Sequence, residues 1–503
     1  MDAVVTKTRK KAAAPAVKTS ADVDVLIVGA GFSGLGLGVR LQEQGRHSFL
    51  IIEKADEVGG TWRDNTYPGC ACDIPSHLYS LSYEPKADWS RLYPPQLELL
   101  DYLKDIARKH DLYGHIRLKT RMEEAAWDEA AGLWRVKTDH GDEITARVLV
   151  SGIGALHIPQ IPHLNGIENF KGVAFHSAQW RHDYDLTGKN VAVIGTGASA
   201  IQFVPQIAGE VGKLTLFQRT PPWVLPKLDG PIGPFQQFLF KHLPGYRRAF
   251  RALIYWINEA RALALVNNSK AIRIGEQVAK RHIAKAIRDP ELRRKVTPDY
   301  RMGCKRVLLA NDYYPALARE NVEVVTDGVA EVRAHSIVGK DGVERPIDAI
   351  IYGTGFDVTD SLSRLPITGR GGVVIKDAWK DGVRGYYGIT VSGFPNFFML
   401  LGPNTGLGHN SQIVMIEGQI NYVLSALAKM KQKGVRALDL KPQVLDAHDR
   451  KIQHKLQSSV WQKGGCVSWY QDASGRNVTL WPGFTFDYVA KTRDVKLDEY
   501  EAA

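Results

Sequence analysis

Residues 23–45, VDVLIVGAGFSGLGLGVRLQEQG, decide the fold. An apolar, β-branched run stops at Gly29, and a helix-forming stretch begins a few residues later. Between them stands G-x-G-x-x-G, written with Gly29, Gly31 and Gly34. Strand, glycine turn and helix open a dinucleotide-binding βαβ unit. Gly29 permits the tight turn, Gly31 lets a pyrophosphate approach the backbone, and Gly34 lets the helix pack on the strand. The diphosphate then meets free N–H groups at a helix N-terminus. A second apolar run, HSFLIIE, ends on Glu53, nineteen residues after Gly34, where a carboxylate accepts hydrogen bonds from ribose hydroxyls.

The same unit recurs 166 residues later, in KNVAVIGTGASAIQFVPQIA (189–208). Its turn carries Gly195, Thr196 and Gly197, with Ala200 in place of the third glycine. Arg219 stands nineteen residues after Ala200, where the first unit has Glu53. A carboxylate repels a ribose 2′-phosphate, whereas a guanidinium grips it bidentately, and Thr220 adds a hydroxyl. Unit one should therefore bind FAD or NAD, and unit two NADP. One chain with both is most simply a flavoprotein reduced by NADPH.

These units predict an α/β fold with two Rossmann-like dinucleotide-binding domains, for FAD and NADP. Residues 1–20 read as a flexible tail, 21–155 as the first part of the FAD domain, and 156–345 as the NADP domain. Residues 346–503 read as the rest of the FAD domain with a C-terminal tail. A helical pattern at about 231–300 reads as an insertion in the NADP domain. Its Lys/Arg run reads as a solvated face, with membrane-surface contact as the lesser reading.

With 503 residues, 44% hydrophobic and 24% charged, the chain is globular and large enough for several domains. The formal charge of +11 favours anionic ligands. The basic residues read as spread along the chain, and no nucleic-acid-reading motif accompanies them. No apolar run is long enough for a transmembrane helix, and the N-terminus lacks the apolar region of a secretory signal. Four cysteines, Cys70, Cys72, Cys304 and Cys466, are too few and scattered for a disulfide framework. That points to a reducing compartment, the cytoplasm, with Cys70 and Cys72 as buried thiols.

Two further patches carry chemistry. GGTWRDNTYPGCACD (59–73) follows Glu53 closely and should run along the FAD, its Tyr67-Pro68-Gly69 turn aiming Asp73 into the site. A surface loop with a solvated Asp73 is the alternative. RMGCKRVLLANDYYPAL (301–317) sets Lys305 beside Arg306, a pair that taken alone would face solvent.

Together these patches resemble the type I flavin-dependent Baeyer–Villiger monooxygenases, within the flavin-containing monooxygenase superfamily. Phe170, Gly172, His176 and Trp180 match that family's F-x-G-x-x-x-H-x-x-x-W fingerprint, and residues 59–73 match its G-G-x-W-x-x-x-x-Y-P-G-x-x-x-D pattern. GCVSWYQDASGRNVTLWPGFT, near the C-terminus, resembles the acetophenone-type branch. The resemblance implies FAD and NADPH as cofactors and a ketone and O₂ as substrates. The product is an ester or lactone, formed through a C4a-peroxyflavin. It further implies Arg306 as the active-site cation and Asp73 as its positioning carboxylate. Ser33, Glu53, Thr61, Trp62, Asp73, Tyr79 and Gln412 then join Gly29, Gly31 and Gly34 on the FAD side. Lys305, Arg306, Arg219 and Thr220 join Gly195, Thr196, Gly197 and Ala200 on the NADP side. His176 reads as a hydrogen-bonded hinge residue and Trp180 as packing; Trp469 and Trp481 also read as packing, with bordering the substrate as the lesser reading. Arg181 and Ala71 depart from the usual pattern. Rival readings are an S- or N-oxygenating flavin monooxygenase, a pyridine-nucleotide flavoprotein reductase, and a non-enzymatic flavin-binding protein.

Overall fold

The computed structural model describes residues 20–502 apart from 268, 359–363 and 365. The expected N-terminal tail therefore lies, but for residue 20, outside the described residues. The chain opens with β1 (Val23–Val28), α1 (Phe32–Gln44) and β2 (Phe49–Ile52), as the turn requires. Short helix α2 (Thr61–Asp64) and α3 (Gln96–Lys109) follow, then β3 (Ile116–Arg117). A meander of β4 (Met122–Asp128), β5 (Leu133–Thr138) and β6 (Glu143–Ser151) completes the first run. β6 is long because it serves several partners. It pairs along β1 in parallel, and its first half meets β5 antiparallel.

The second sheet comprises β7 (Val173–His176), β8 (Asn190–Ile194), β9 (Lys213–Phe217), β10 (Val322–Val325) and β11 (Ala349–Tyr352). α4 (Ala200–Ile207) follows the second glycine turn. The strands are all parallel, in the order β10-β9-β8-β11-β7. β11 pairs with both β7 and β8, so the second sheet runs to Tyr352 and the expected boundary at 345/346 falls too early. Between β9 and β10 come α5 (Pro234–His242), α6 (Tyr246–Val266), α7 (Ile272–Ala286) and α8 (Pro290–Val296), the predicted helical insertion. The chain then returns to the first sheet through β12 (Ile367–Thr368) and β13 (Phe397–Met399), which pairs with the second half of β6. Helix α9 (Gln412–Lys433) follows.

Each glycine turn is closed by a glycine from the neighbouring strand. Gly29 has φ 104°, a left-handed conformation, and a Cβ there would stand 2.8 Å from the Gly152 carbonyl oxygen. Gly195 has φ 100°, and its Cβ would meet the Gly353 carbonyl oxygen at 2.5 Å. Gly152 follows β6 and Gly353 follows β11, so the echo between the units extends to their parallel neighbours. It also explains Ala200: a Cβ on Gly353 would lie 3.0 Å from the Ala200 methyl, so the missing side chain at 353 makes room for the present one at 200.

Gly34 has no such partner to spare. A Cβ there would come within 1.9 Å of the Gly29 carbonyl oxygen. Gly34→Ala must part α1 from β1, so we expect at least ~1–3 kcal/mol of destabilisation. A lower urea midpoint together with a reduced flavin-to-protein absorbance ratio would register it.

Candidate active site

Parallel strands β1, β2, β6 and β13 bring their C-terminal ends to one edge of the first sheet, the edge where α/β folds bind ligands. Gly29, Glu53, Gly152 and the 400–411 loop all lie there. Gly59 N–H donates to the Ala30 carbonyl (2.9 Å), fastening the second glycine pair to the first turn. A Cβ on Gly31 would stand 3.7 Å from Gly60 Cα, filling the cradle between the two backbones. The first turn of α1 has no side-chain cap and no acidic residue, which leaves it suited to an anion. Glu53 is buried and accepts from Ala30 N (2.9 Å) and Ala55 N (3.0 Å). Arg63, which the sequence reading passed over, reaches its Oε1 at 3.2 Å. Beyond β2 opens a cavity of about 520 Å³ whose lining includes Lys54, Ala55, Arg63, His157 and Phe356.

Ser33 is buried in α1, and Thr61 and Trp62 open α2. Tyr79 sets its ring edge-on to Phe32 (5.3 Å) and Trp62 (5.6 Å). On the 400–411 loop, Leu401 takes φ 64° and Asn404 φ 55°, unusual for side chains with a Cβ. The Gln419 amide holds Leu401 N at 2.9 Å. Gln412, the first residue of α9, keeps a buried Oε1 without a hydrogen-bond partner, while the buried His409 ring sets its Nε2 3.6 Å from the Glu259 carboxylate. The orphaned Gln412 oxygen, an open cradle and an uncapped helix together fit a dinucleotide with a polar ring system.

The loop 66–73 is held by the second unit. Gly69 has φ 77°, and its Cβ would strike the Gln202 carbonyl oxygen at 2.8 Å. Tyr67 Oη donates to Gln202 Oε1 (2.9 Å), whose Nε2 donates to the Ala71 carbonyl (3.0 Å). Thr66 Oγ1 bonds His182 Nε2 at 2.9 Å. Asp73 emerges from this anchored loop.

Its partner arrives from the far side of the helical insertion. Val224–Leu225 pairs in parallel with Leu308–Leu309, with Val224 opposite Leu308. That register sets Arg219 and Thr220, a few residues before one strand, beside Lys305 and Arg306, a few residues before the other. Arg306 makes a fork-to-fork contact with Asp73 across 233 positions of sequence: Nε to Oδ2 at 2.9 Å, Nη2 to Oδ1 at 2.8 Å and to Oδ2 at 2.6 Å. Asp73 raises the arginine pKa further, so the guanidinium is a fixed cation. The pair lies deep, yet 35% of the Arg306 side chain stays accessible, which leaves it free to meet a ligand.

Lys305 is a different kind of cation. Burial first, and then the nearby Arg219, lower its pKa. Arg219 is exposed and has no ion pair to a described residue. Two neighbouring cations suit a dianion, with Asp299 a weaker opposing influence on Lys305. Thr196 Oγ1 donates to the Thr220 carbonyl at 3.3 Å, tying the second turn to this patch.

Around this centre lie residues that sequence reasoning placed less well. Cys304 and Cys466 form a disulfide across 162 positions, where none was expected; Cys70 and Cys72 are free and buried. The bond fastens the residue just before Lys305 to the C-terminal segment. Burial raises the Cys70 thiol to about 11, so it is no reactive thiolate. His176 is fully buried; its Nδ1 accepts from Ala178 N (3.1 Å), and its Nε2 lies against the Gly355 backbone without a well-formed hydrogen bond. Trp180 packs on Phe175 and on Phe203 of α4, both at 5.3 Å. Trp481 is buried against Tyr387 and Tyr488, whereas Trp469 is half-exposed against Tyr470.

A family model described as flavin-binding monooxygenase-like matches residues 22–362. The chain belongs to that family. Among its flavin-binding monooxygenase-like relatives is a Baeyer–Villiger monooxygenase of Pseudomonas aeruginosa, 49% identical over 95% of this chain and 90% of its own length. Another, of Streptomyces coelicolor, is 46% identical over 95% of this chain and 92% of that one. Among solved structures, OTEMO in complex with FAD and NADP matches with a TM-score of 0.86 at 27% identity, covering 96% of this chain and all of that one. A steroid monooxygenase bound to NADP matches at 0.85 and 31% identity, covering 95% and 99%.

Proposed function

We propose that this flavoprotein uses NADPH and O₂ to insert one oxygen atom beside a ketone carbonyl, giving an ester or lactone. The Baeyer–Villiger relatives at 49% and 46% identity support the reaction class, and the FAD- and NADP-bound neighbour supports both cofactors. The single observation that carries the reading in this chain is the bidentate Asp73–Arg306 pair.

The first sheet with α1 would hold FAD, through Gly29, Gly31, Ser33, Gly34 and Glu53, with Thr61, Trp62, Asp73, Tyr79 and Gln412 towards its ring. The second sheet, with the helical insertion, would hold NADP. Gly195, Thr196 and Gly197 would meet its diphosphate, with buried Ala200 packing the helix behind them, and Arg219, Thr220 and Lys305 would meet its 2′-phosphate. Bound FAD, reduced by NADPH, supplies the activated oxygen. Arg306 keeps a positive charge beside the reacting oxygens and stabilises the negative charge that develops there. Asp73 fixes the plane of that guanidinium, so no reorganisation is needed at the moment of reaction. A permanent cation favours the anionic, nucleophilic form of the oxidant over the protonated, electrophilic one.

The test is a panel of ketones and sulfides with NADPH in air, with products identified. Ester or lactone should appear with matched NADPH and O₂ consumption. Sulfoxide formed while every ketone returns unchanged would reject the reading in favour of S-oxygenation.

A further inference from the structure

The helical insertion contains a surface that the monooxygenase chemistry does not use. Helix α6 is anchored by its polar face. Its Glu259 is buried and accepts from Asn410 Nδ2 (2.6 Å), Thr485 N (2.5 Å) and Thr485 Oγ1 (2.7 Å). Its Arg251 donates to the carbonyls of His77 (2.5 Å) and Ser80 (3.0 Å). The outward face is apolar: Leu253, Trp256, Ile257 and Leu263 are each more than half exposed, with exposed Ala249, Ala252 and Ala260 between them. These positions recur every three or four residues, so they form one stripe along the helix. Phe235 and Phe238 on neighbouring α5 are also more than half exposed.

The stripe is set in positive charge. Residues 234–296 hold fourteen Lys and Arg against four Asp and Glu, a formal +10 of the chain's +11. The net positive charge is thus concentrated here, although 51 of the 65 Lys and Arg lie elsewhere along the chain. The acids are also engaged: Glu259 is buried, Glu276 reaches Arg301 (3.6 Å), Asp289 caps α8 and Glu291 pairs with Lys295 (3.3 Å). Arg248 and Arg261 are exposed at the stripe's borders, four residues before Ala252 and four after Ile257.

The charge selects the occupant. A second copy would bring the same cations against these. The N-terminal segment 1–19, with five Lys and Arg and one Asp, would be repelled in the same way. An anionic lipid surface satisfies both features at once. Its acyl boundary takes Leu253, Trp256 and Ile257, while its phosphates take the arginines that snorkel beside them. No described helix is long and apolar enough to cross a membrane, so the contact would be peripheral.

We propose that the outer face of α5 and α6 docks on anionic phospholipid bilayers, with α6 lying along the boundary between headgroups and acyl chains. Flotation of the purified holoenzyme tests this with vesicles of phosphatidylcholine alone and of phosphatidylcholine mixed with phosphatidylglycerol. The protein should float with the anionic vesicles at low salt and leave them at high salt. The triple variant Leu253→Ser, Trp256→Ser, Ile257→Ser should lose at least about tenfold in bound fraction while staying yellow and oxidising NADPH as before. Arg248→Glu with Arg261→Glu should remove the salt-sensitive part. Equal flotation of wild type and both variants would overturn the proposal, as would no flotation on anionic vesicles. So would a dimer in sedimentation velocity that the triple variant dissolves without any vesicle binding, because the face would then belong to a second copy.

Discussion

Arg306→Ala should lose ester formation by about 10²–10³-fold while flavin reduction by saturating NADPH continues near the wild-type rate. The magnitude is that of removing one preorganised donor from a site where negative charge develops. The two half-reactions separate because the guanidinium meets the reacting oxygens only after the flavin is reduced. Anaerobic stopped-flow mixing with NADPH reads the first half, and ester quantification in air reads the second. Arg306→Lys should recover little, since an ammonium cannot make the fork-to-fork contact that orients the charge on Asp73. Asp73→Asn should fall between, keeping an acceptor but losing the charge that fixes the arginine plane. Ester formation at the wild-type rate in Arg306→Ala would remove the assigned role. A loss shared equally by both halves would make the residue structural.

How far this site was legible in the sequence depends on how local each feature is. Gly29, Gly31 and Gly34 are legible because one strand, one turn and one helix define them, and Glu53 and Arg219 follow at fixed spacing. Gly152 and Gly353 each end an apolar run, RVLVSG (147–152) and DAIIYG (348–353). Their part in closing the opposite turns emerges only from the register of β6 on β1 and of β11 on β8. The 345/346 boundary failed for the same reason, since nothing local in Ala349–Tyr352 says which sheet it joins. Asp73 and Arg306 stand 233 residues apart, and only a family resemblance could pair them before the fold was known. Spacing gave no hint of the disulfide at 162 positions. Helix α6 inverts the usual rule: its carboxylate face is buried and its Leu-Trp-Ile face is exposed. Amphipathic periodicity identifies two faces and is silent on which one a neighbour covers. Glu259 found partners in Asn410 and Thr485, residues 151 and 226 positions away.

Coenzyme choice is the second large effect. Arg219→Ala and Lys305→Ala should each lower kcat/KM for NADPH by about 10–100-fold, the worth of one charged hydrogen bond to a phosphate at ~1.5–3 kcal/mol. NADH lacks that phosphate, so its kcat/KM should hardly move, and the preference for NADPH should collapse by the same factor. The parallel register of Val224 on Leu308 places both cations together, so the double variant should lose less than the product of the single losses. Alkaline pH supplies an independent readout. Lys305 has its pKa lowered by burial and then by Arg219, so as pH rises its charge is lost earlier than that of an ordinary lysine. The KM for NADPH should therefore climb at alkaline pH while that for NADH stays level. Arg219→Ala removes the repelling cation, raises the Lys305 pKa and should move that climb to higher pH. An unchanged coenzyme preference in both single variants would place the phosphate elsewhere on the second unit.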